Sequence, residues 1–127
     1  MKVRLQDGLP FITIAVTYQN QTVELREVLL DTGSGGTVLS VDRLLDIGVH
    51  MEPQDTIHRV YGVGGSEFVF SKRVSHLSAG DLTVQDFEIQ IGAMAYGFQL
   101  DGIVGLDFLL AVGAIIDLDQ LEIYGAK

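Results

Sequence analysis

Alternating apolar and polar residues run through most of the chain. Phe11-Ile12-Thr13-Ile14-Ala15-Val16-Thr17-Tyr18 is dense in β-branched and aromatic residues, Gln19-Asn20-Gln21 offers a turn, and Thr22-Val23-Glu24-Leu25 resumes the alternation. This predicts a β-hairpin that delivers Leu29-Leu30 to a loop beginning at Asp31. Thr37-Val38-Leu39 predicts a short strand, after which Ser40 is placed to cap a brief helix over residues 41–47 and Gly48 to stop it. Residues 57–61 and 67–74 read as strands on either side of Gly62-Val63-Gly64-Gly65-Ser66, a glycine-tipped hairpin. After a turn at Ser78-Ala79-Gly80-Asp81, strict alternation over residues 84–91 puts Phe87, Ile89 and Ile91 on one face of a half-buried strand. Ile103-Val104 follow an Asp101-Gly102 turn, residues 107–111 predict a short helix, and residues 114–117 and 121–124 predict closing strands. Leu100-Asp101-Gly102-Ile103-Val104-Gly105 echoes Leu29-Leu30-Asp31-Thr32-Gly33, which suggests two similar halves.

Composition narrows this picture. The 127 residues suit one domain, 1–127, long enough for a single core but too short for a two-lobed enzyme with its own deep cleft. With 47% hydrophobic residues, and 15 glycines against two prolines, the chain reads as an ordered, turn-rich β protein. A formal charge of -9 opposes a phosphate backbone, so no nucleic-acid partner is expected. There is no cysteine, hence no disulfide or thiol chemistry. Residues 1–8 lack the apolar run of a signal peptide and no segment approaches membrane-spanning length, so the expectation is a cytoplasmic protein without a membrane partner. His50, His58 and His76 have no ligand spacing, and neither metal nor cofactor is expected. No Lys-Ser/Thr follows either glycine cluster, which removes a phosphate-binding reading.

Three motifs carry chemistry: Leu29-Leu30-Asp31-Thr32-Gly33-Ser34, the Gly62–Gly65 cluster, and Ile103-Val104-Gly105. In this order and spacing they resemble the retropepsin-like aspartic proteases. The retroviral pattern Asp-Thr-Gly-x-x-x-Thr-Val-Leu is matched without a gap from Asp31 to Leu39. The resemblance implies an all-β, closed-barrel acid-protease fold with one or two short helices. It also implies an endopeptidase that binds a peptide or protein substrate. Hydrolysis without metal or covalent intermediate needs one group to take a proton from water and another to protonate the substrate carbonyl, work done by two carboxylates sharing one proton. One Asp-Thr-Gly per chain therefore calls for a homodimer.

On this reading Asp31 is the catalytic carboxylate. Thr32 locks the two loops together, and Gly33 permits close approach while its amide bonds the carboxylate. Ser34 adds a hydroxyl placed to donate to that carboxylate. Gly62, Val63, Gly64 and Gly65 form a flap over bound peptide, and Ile103 and Val104 line apolar pockets whose shape depends also on Tyr96 and Phe98. The terminal segments Val3-Arg4-Leu5 and Leu121-Glu122-Ile123-Tyr124 are candidates to interleave between copies, as relatives' termini do. Asp107, Asp117 and Asp119 read as caps and turn residues. The chain departs from the retroviral pattern at Gly35-Gly36, where relatives carry acids, and at Leu106, where they carry arginine. Both sides of an ion-pair network are absent together, which leaves no unpaired buried charge. Two other readings compete: a non-catalytic dimerisation or peptide-binding module, and a monomeric precursor with regulated dimerisation.

Overall fold

The computed structural model describes residues 1–62, 65–94 and 99–126. Its first hairpins are closed by two-residue turns. β1 (Arg4–Gln6) returns as β2 (Leu9–Tyr18) through Asp7-Gly8, and β2 returns as β3 (Gln21–Leu30) through Gln19-Asn20. All four turn residues have positive φ, 52°, 77°, 48° and 68° in chain order, which gives the turn a twist that matches the flanking strands. β4 (Val38–Ser40) enters α1 (Val41–Leu44), capped at 3.5 Å by the Ser40 hydroxyl accepting from the Arg43 amide. The predicted helix over residues 41–47 is α-helical only to Leu44. Leu45–Ile47 tightens into a 3₁₀ turn that ends at Gly48, φ 82°, because so short a segment gains few i→i−4 bonds.

β5 (Ile57–Gly62), β6 (Gly65–Ala79) and β7 (Leu82–Gly92) form successive antiparallel hairpins. β6 runs five residues beyond the predicted end at Val74. Beyond the adjacent buried pair Val69 and Phe70, its buried positions are Lys72 and Val74, then Leu77 and Ala79, so the alternation changes phase around Ser75. β7 changes phase around Asp86, which has φ 53°. Register is kept across the slip, with Val74 opposite Phe87 and His76 opposite Gln85. The two strands turn together and keep both apolar runs inward.

β8 (Gly102–Val104), α2 (Leu106–Ala111), β9 (Ala114–Asp117) and β10 (Glu122–Gly125) complete the chain. The main sheet has the order β1-β2-β3-β8-β4-β7-β6-β5, and β6 also pairs with β2. That second pairing closes the sheet on itself, as the all-β acid-protease fold requires, and leaves few free edges. The interior holds Ile12, Ile14, Leu25, Leu39, Ile91 and Phe108, each at most 1% exposed. Phe108 docks α2 edge-on against Phe87, ring centroids 6.3 Å apart. A smaller cluster of Phe11, Val38, Val69, Met94 and Leu100 is joined by the partly buried Leu29, Val60 and Ile103.

β9 and β10 form a separate ribbon. The N-terminal residues add to it: Val3 donates to the Leu121 carbonyl at 2.8 Å, and Ile123 donates to the Met1 carbonyl at 2.9 Å. The terminal segments offered as strands exchanged between copies thus pair with each other within one chain. Val3 and Ile123 are buried there at 5% and 1% exposure. Among the described residues no helix is long and apolar enough to cross a membrane.

Candidate active site

β8 lies between β3 and β4, parallel to the first (Leu30 opposite Val104) and antiparallel to the second (Val38 opposite Ile103). The chain leaving β3 must cross over the end of β8 to reach β4, and residues 31–37 make that crossing. Three backbone bonds tie the crossing down. Asp31 donates to the Val104 carbonyl at 3.0 Å, Ser34 donates to the Asp31 carbonyl at 3.1 Å, and Leu106 donates to the Ser34 carbonyl at 2.8 Å. At Gly105 a Cβ would lie 2.5 Å from the Gly36 carbonyl oxygen and 2.7 Å from that of Ser34. Only glycine lets β8 run so close under the loop.

The far end of the crossing is fixed by a side chain. Thr37 is fully buried; its amide and hydroxyl donate to the Asp107 carboxylate at 3.1 and 2.7 Å, and the hydroxyl accepts from the Gly105 amide at 3.2 Å. Asp107 also accepts from the Phe108 amide at 2.7 Å at the start of α2. Asp107 does not cap α2, whose N-cap is Gly105 without a side-chain bond; it sits in the first turn and its carboxylate holds α2 against the loop.

Asp31 itself is half-buried at the crest, with Thr32 and Gly33 exposed beside it. Its Oδ1 accepts from the Gly33 amide at 2.9 Å, and a Cβ on Gly33 would lie only 3.2 Å from that oxygen. Among the described residues this amide is the carboxylate's only partner. Of the other half-buried or buried aspartates, Asp117 accepts only from the Gln120 amide, at 2.9 Å, in an exposed turn, and three contrast with Asp31. Asp107 is held as above. Asp101, 2% exposed, pairs with the Arg43 guanidinium at 3.1 Å and accepts from the Glu27 amide at 3.1 Å. Asp55 pairs with Lys72 at 2.7 Å. Those three are spent on structure, whereas Asp31 is anchored through its backbone and keeps its carboxylate available.

Two expectations for neighbouring residues are corrected. The Ser34 hydroxyl does not donate to Asp31; it donates to the Gly36 carbonyl at 2.7 Å and closes the loop locally. Val104 does not line a pocket: it is fully buried in the main core, and it serves the site through its carbonyl. Ile103 points the opposite way, as alternation demands, and packs against the smaller cluster that holds Phe11 and Val38, as Leu29 and Val60 also do. Gly62 and Gly65 face each other as the last pair of β5 and β6. Val63, Gly64, Tyr96 and Phe98 lie outside the described residues. Thr32 makes no side-chain hydrogen bond within the chain among those residues. His58 is paired with the Ser71 hydroxyl at 2.9 Å, and His50 with the Gly48 carbonyl at 3.1 Å. No cluster of His, Cys, Asp or Glu suited to a metal ion occurs among the described residues.

Two supporting residues escape a sequence reading. Asp101, taken for a turn residue, answers an irregularity in the β2–β3 ladder, where the register shifts between Ile12 and Ile14. The shift frees the backbone of Glu27, whose carbonyl accepts from the Asp101 amide at 2.8 Å while its amide donates to the Asp101 carboxylate. β8 is pinned in this way just before it reaches the Asp31 loop. Lys72 is buried at 7% exposure between Glu52 at 2.5 Å and Asp55 at 2.7 Å. Burial pulls the Lys72 pKa down, but the hydrogen bonds and charges of Asp55 and Glu52 outweigh it and the net shift is upward. The Lys72 hydrogen bond in turn lowers both carboxylates. The clasp ties the segment ahead of β5 to β6. An Asp101-Gly pair beside an apolar strand, and a Lys in phase with Phe70 and Val74, are the signals that could have found these positions.

A family model described as aspartyl protease matches residues 14–108, a span that contains the Asp31 loop, the β5–β6 hairpin and β8. No curated protein matches the chain significantly. The matched span covers most of the molecule, the sheet closes as that fold demands, and the Asp-Thr-Gly loop crosses β8 with its carboxylate unspent: the chain belongs to the aspartyl protease family, in its retropepsin-like form.

Proposed function

We propose that this chain is an aspartic endopeptidase active as a homodimer, with Asp31 from each copy forming the catalytic pair. The observation that carries the reading is the state of Asp31. Its loop is held by backbone bonds to Val104, Ser34 and Leu106, yet its carboxylate takes up one amide and meets no cation among the described residues. The two carboxylates that hold the fold around the loop, those of Asp101 and Asp107, are consumed by several partners each.

In the paired site one Asp31 is ionised and its mate protonated. The ionised carboxylate takes a proton from water as the water oxygen bonds to the peptide carbonyl carbon, and the protonated one gives its proton to the carbonyl oxygen. The tetrahedral diol then collapses. The C–N bond breaks, the nitrogen receives the proton taken from water, and one diol hydroxyl gives its proton back to the other carboxylate as the new carbonyl forms, so the pair returns to its starting state. Gly33 supplies an amide that holds one Asp31 oxygen in place. Ile103, Leu29 and Val60 offer apolar walls for side chains flanking the scissile bond, and the Gly62–Gly65 hairpin tip covers the bound peptide. A cysteine-free chain suits a reducing compartment, and we place the enzyme in the cytoplasm. Peptide-library digestion at several protein concentrations tests the reading. Cleavage should rise faster than in proportion to concentration, because monomers are inactive. Strict proportionality in a protein shown to be monomeric would overturn it.

A further inference from the structure

The proposed site is half a site, so something must seat a second copy beside the Asp31 loop. Three observations say what that surface is. First, the termini are not free to do it by exchange: Met1 and Ile123 bond each other in both directions, Val3 bonds Leu121, and Val3 and Ile123 are buried in their own chain. Second, three exposed leucines flank the loop. Leu106 follows the constricted Gly105, donates its amide to the Ser34 carbonyl and is 39% exposed. Leu110, one helical turn along α2, is 76% exposed on the same face, while Phe108 and Leu109 turn to the core. On the other side Leu9 of β2 is 40% exposed. Phe11 pairs with Leu29, and Leu9 lies two residues from Phe11 on the same strand face, level with the start of the loop.

Third, the segments that make the loop and the strand beneath it carry almost no charge. Each copy carries a formal charge of -9, and two such bodies repel unless the contact itself is uncharged. From Val28 to Thr37, and again from Gly102 to Leu106, the sole ionisable side chain is Asp31. Resting on the homodimer reading above, we infer that the second copy docks on an uncharged leucine face, Leu9 on one flank of the Asp31 loop and Leu106 with Leu110 on the other. Each patch meets its own copy across a two-fold axis, without strand exchange and without interchain ion pairs.

Sedimentation equilibrium across salt, with three variants, tests this. Raising salt from about 0.05 M to about 0.5 M should leave the wild-type Kd unchanged or lower it, since screening relieves repulsion and no ion pair is lost. A Kd that rises with salt would overturn the uncharged interface. Leu106→Lys and Leu110→Lys each place a cation on the face and should raise Kd about tenfold or more; Leu110 makes no core contact, so its variant keeps the fold even if Leu106→Lys does not. Leu118→Lys, on the exposed β9–β10 turn (72% exposed), should dimerise as wild type does. Wild-type Kd in Leu110→Lys, or dimer loss in Leu118→Lys alone, would move the interface elsewhere and overturn the inference. Asp31-dependent cleavage in such a case would leave the proposed function standing. A folded wild type that is monomeric at every concentration and cleaves nothing would remove both.

Discussion

Thr37 surrenders both its amide and its hydroxyl to the carboxylate of Asp107, 70 residues further along the chain. Through this pair the start of α2 is clamped to the loop that carries Asp31. Thr37→Val keeps the shape but deprives Asp107 of a 2.7 Å bond and the Gly105 amide of its acceptor. Leaving buried polar groups unmatched costs roughly 1–3 kcal/mol. Urea denaturation should register a loss of about that size, with Thr37→Ser losing less because the hydroxyl remains. Equal losses in the two variants would assign the effect to packing.

Gly105→Ala is a sharper probe of the loop. Its Cβ would meet two backbone carbonyl oxygens, at 2.5 and 2.7 Å, and neither belongs to a flexible side-chain end. The loop must shift. We expect peptide hydrolysis to fall by about a hundredfold, in line with the penalty for misplacing reacting groups by about an ångström. Alanine at Gly8, where nothing lies within 4 Å but φ is 77°, should cost stability with little effect on catalysis. Wild-type turnover by Gly105→Ala would show that β8 does not position Asp31.

How far the sequence could be read depended on the range of the interaction. Turn residues at Gln19-Asn20, the helix stop at Gly48 and the alternation in β2 and in the 87–91 half of β7 are local and were legible, whereas the slip at Asp86 breaks the strict alternation expected over residues 84–91. So was the Asp31 loop, because Asp-Thr-Gly after two apolar residues encodes its own geometry. The Asp7-Gly8 hairpin was equally local, a strong turn pair that alternation around so short a strand as β1 does not announce. The partners of Ser34, Asp101 and Lys72 were not legible. A serine two residues from a carbonyl and three from a carboxylate can serve either; only the folded loop chooses Gly36. The pairing of Asp101 with Glu27 spans 74 residues and exists because the β2–β3 ladder shifts register. Val104 reads as a pocket wall until β8 is seen buried between two strands.

Asp101→Ala should destabilise the fold. It removes the acceptor from the Glu27 amide and one of three partners from the Arg43 guanidinium, which is 36% exposed and keeps the Glu24 carbonyl and Asp46, so the loss is dominated by the unmatched amide at about 1–3 kcal/mol. Asp101→Asn, which still offers an oxygen to the Glu27 amide, should lose less. Thermal unfolding of both variants checks the order; the reverse order would mean that the Glu27 bond contributes nothing.

Lys72, Glu52 and Asp55 set a pH window for stability. The two carboxylates are lowered by Lys72, so their contribution is complete above the ordinary carboxylate pKa of about 4 and is lost as pH falls through the lower folded-state values. Lys72 is raised, so its contribution is complete below its ordinary value of about 10.4 and is lost as pH climbs through the higher folded-state value. Lys72→Met should be less stable than wild type at neutral pH and should show a shallower decline from about pH 5 to about pH 2. Parallel stability curves for the two proteins would exclude the clasp as a source of acid sensitivity.

The central claim is that the carboxylate of Asp31 performs the chemistry, and it is tested most directly by comparing wild type with Asp31→Asn in peptide-library hydrolysis, with the fold and dimer of each verified in the same samples. The amide is nearly the same shape and can still accept from the Gly33 amide, so the variant should fold and dimerise; but it cannot take a proton from water, and cleavage should drop by about a thousandfold or more. Undiminished cleavage by folded Asp31→Asn protein would contradict the account.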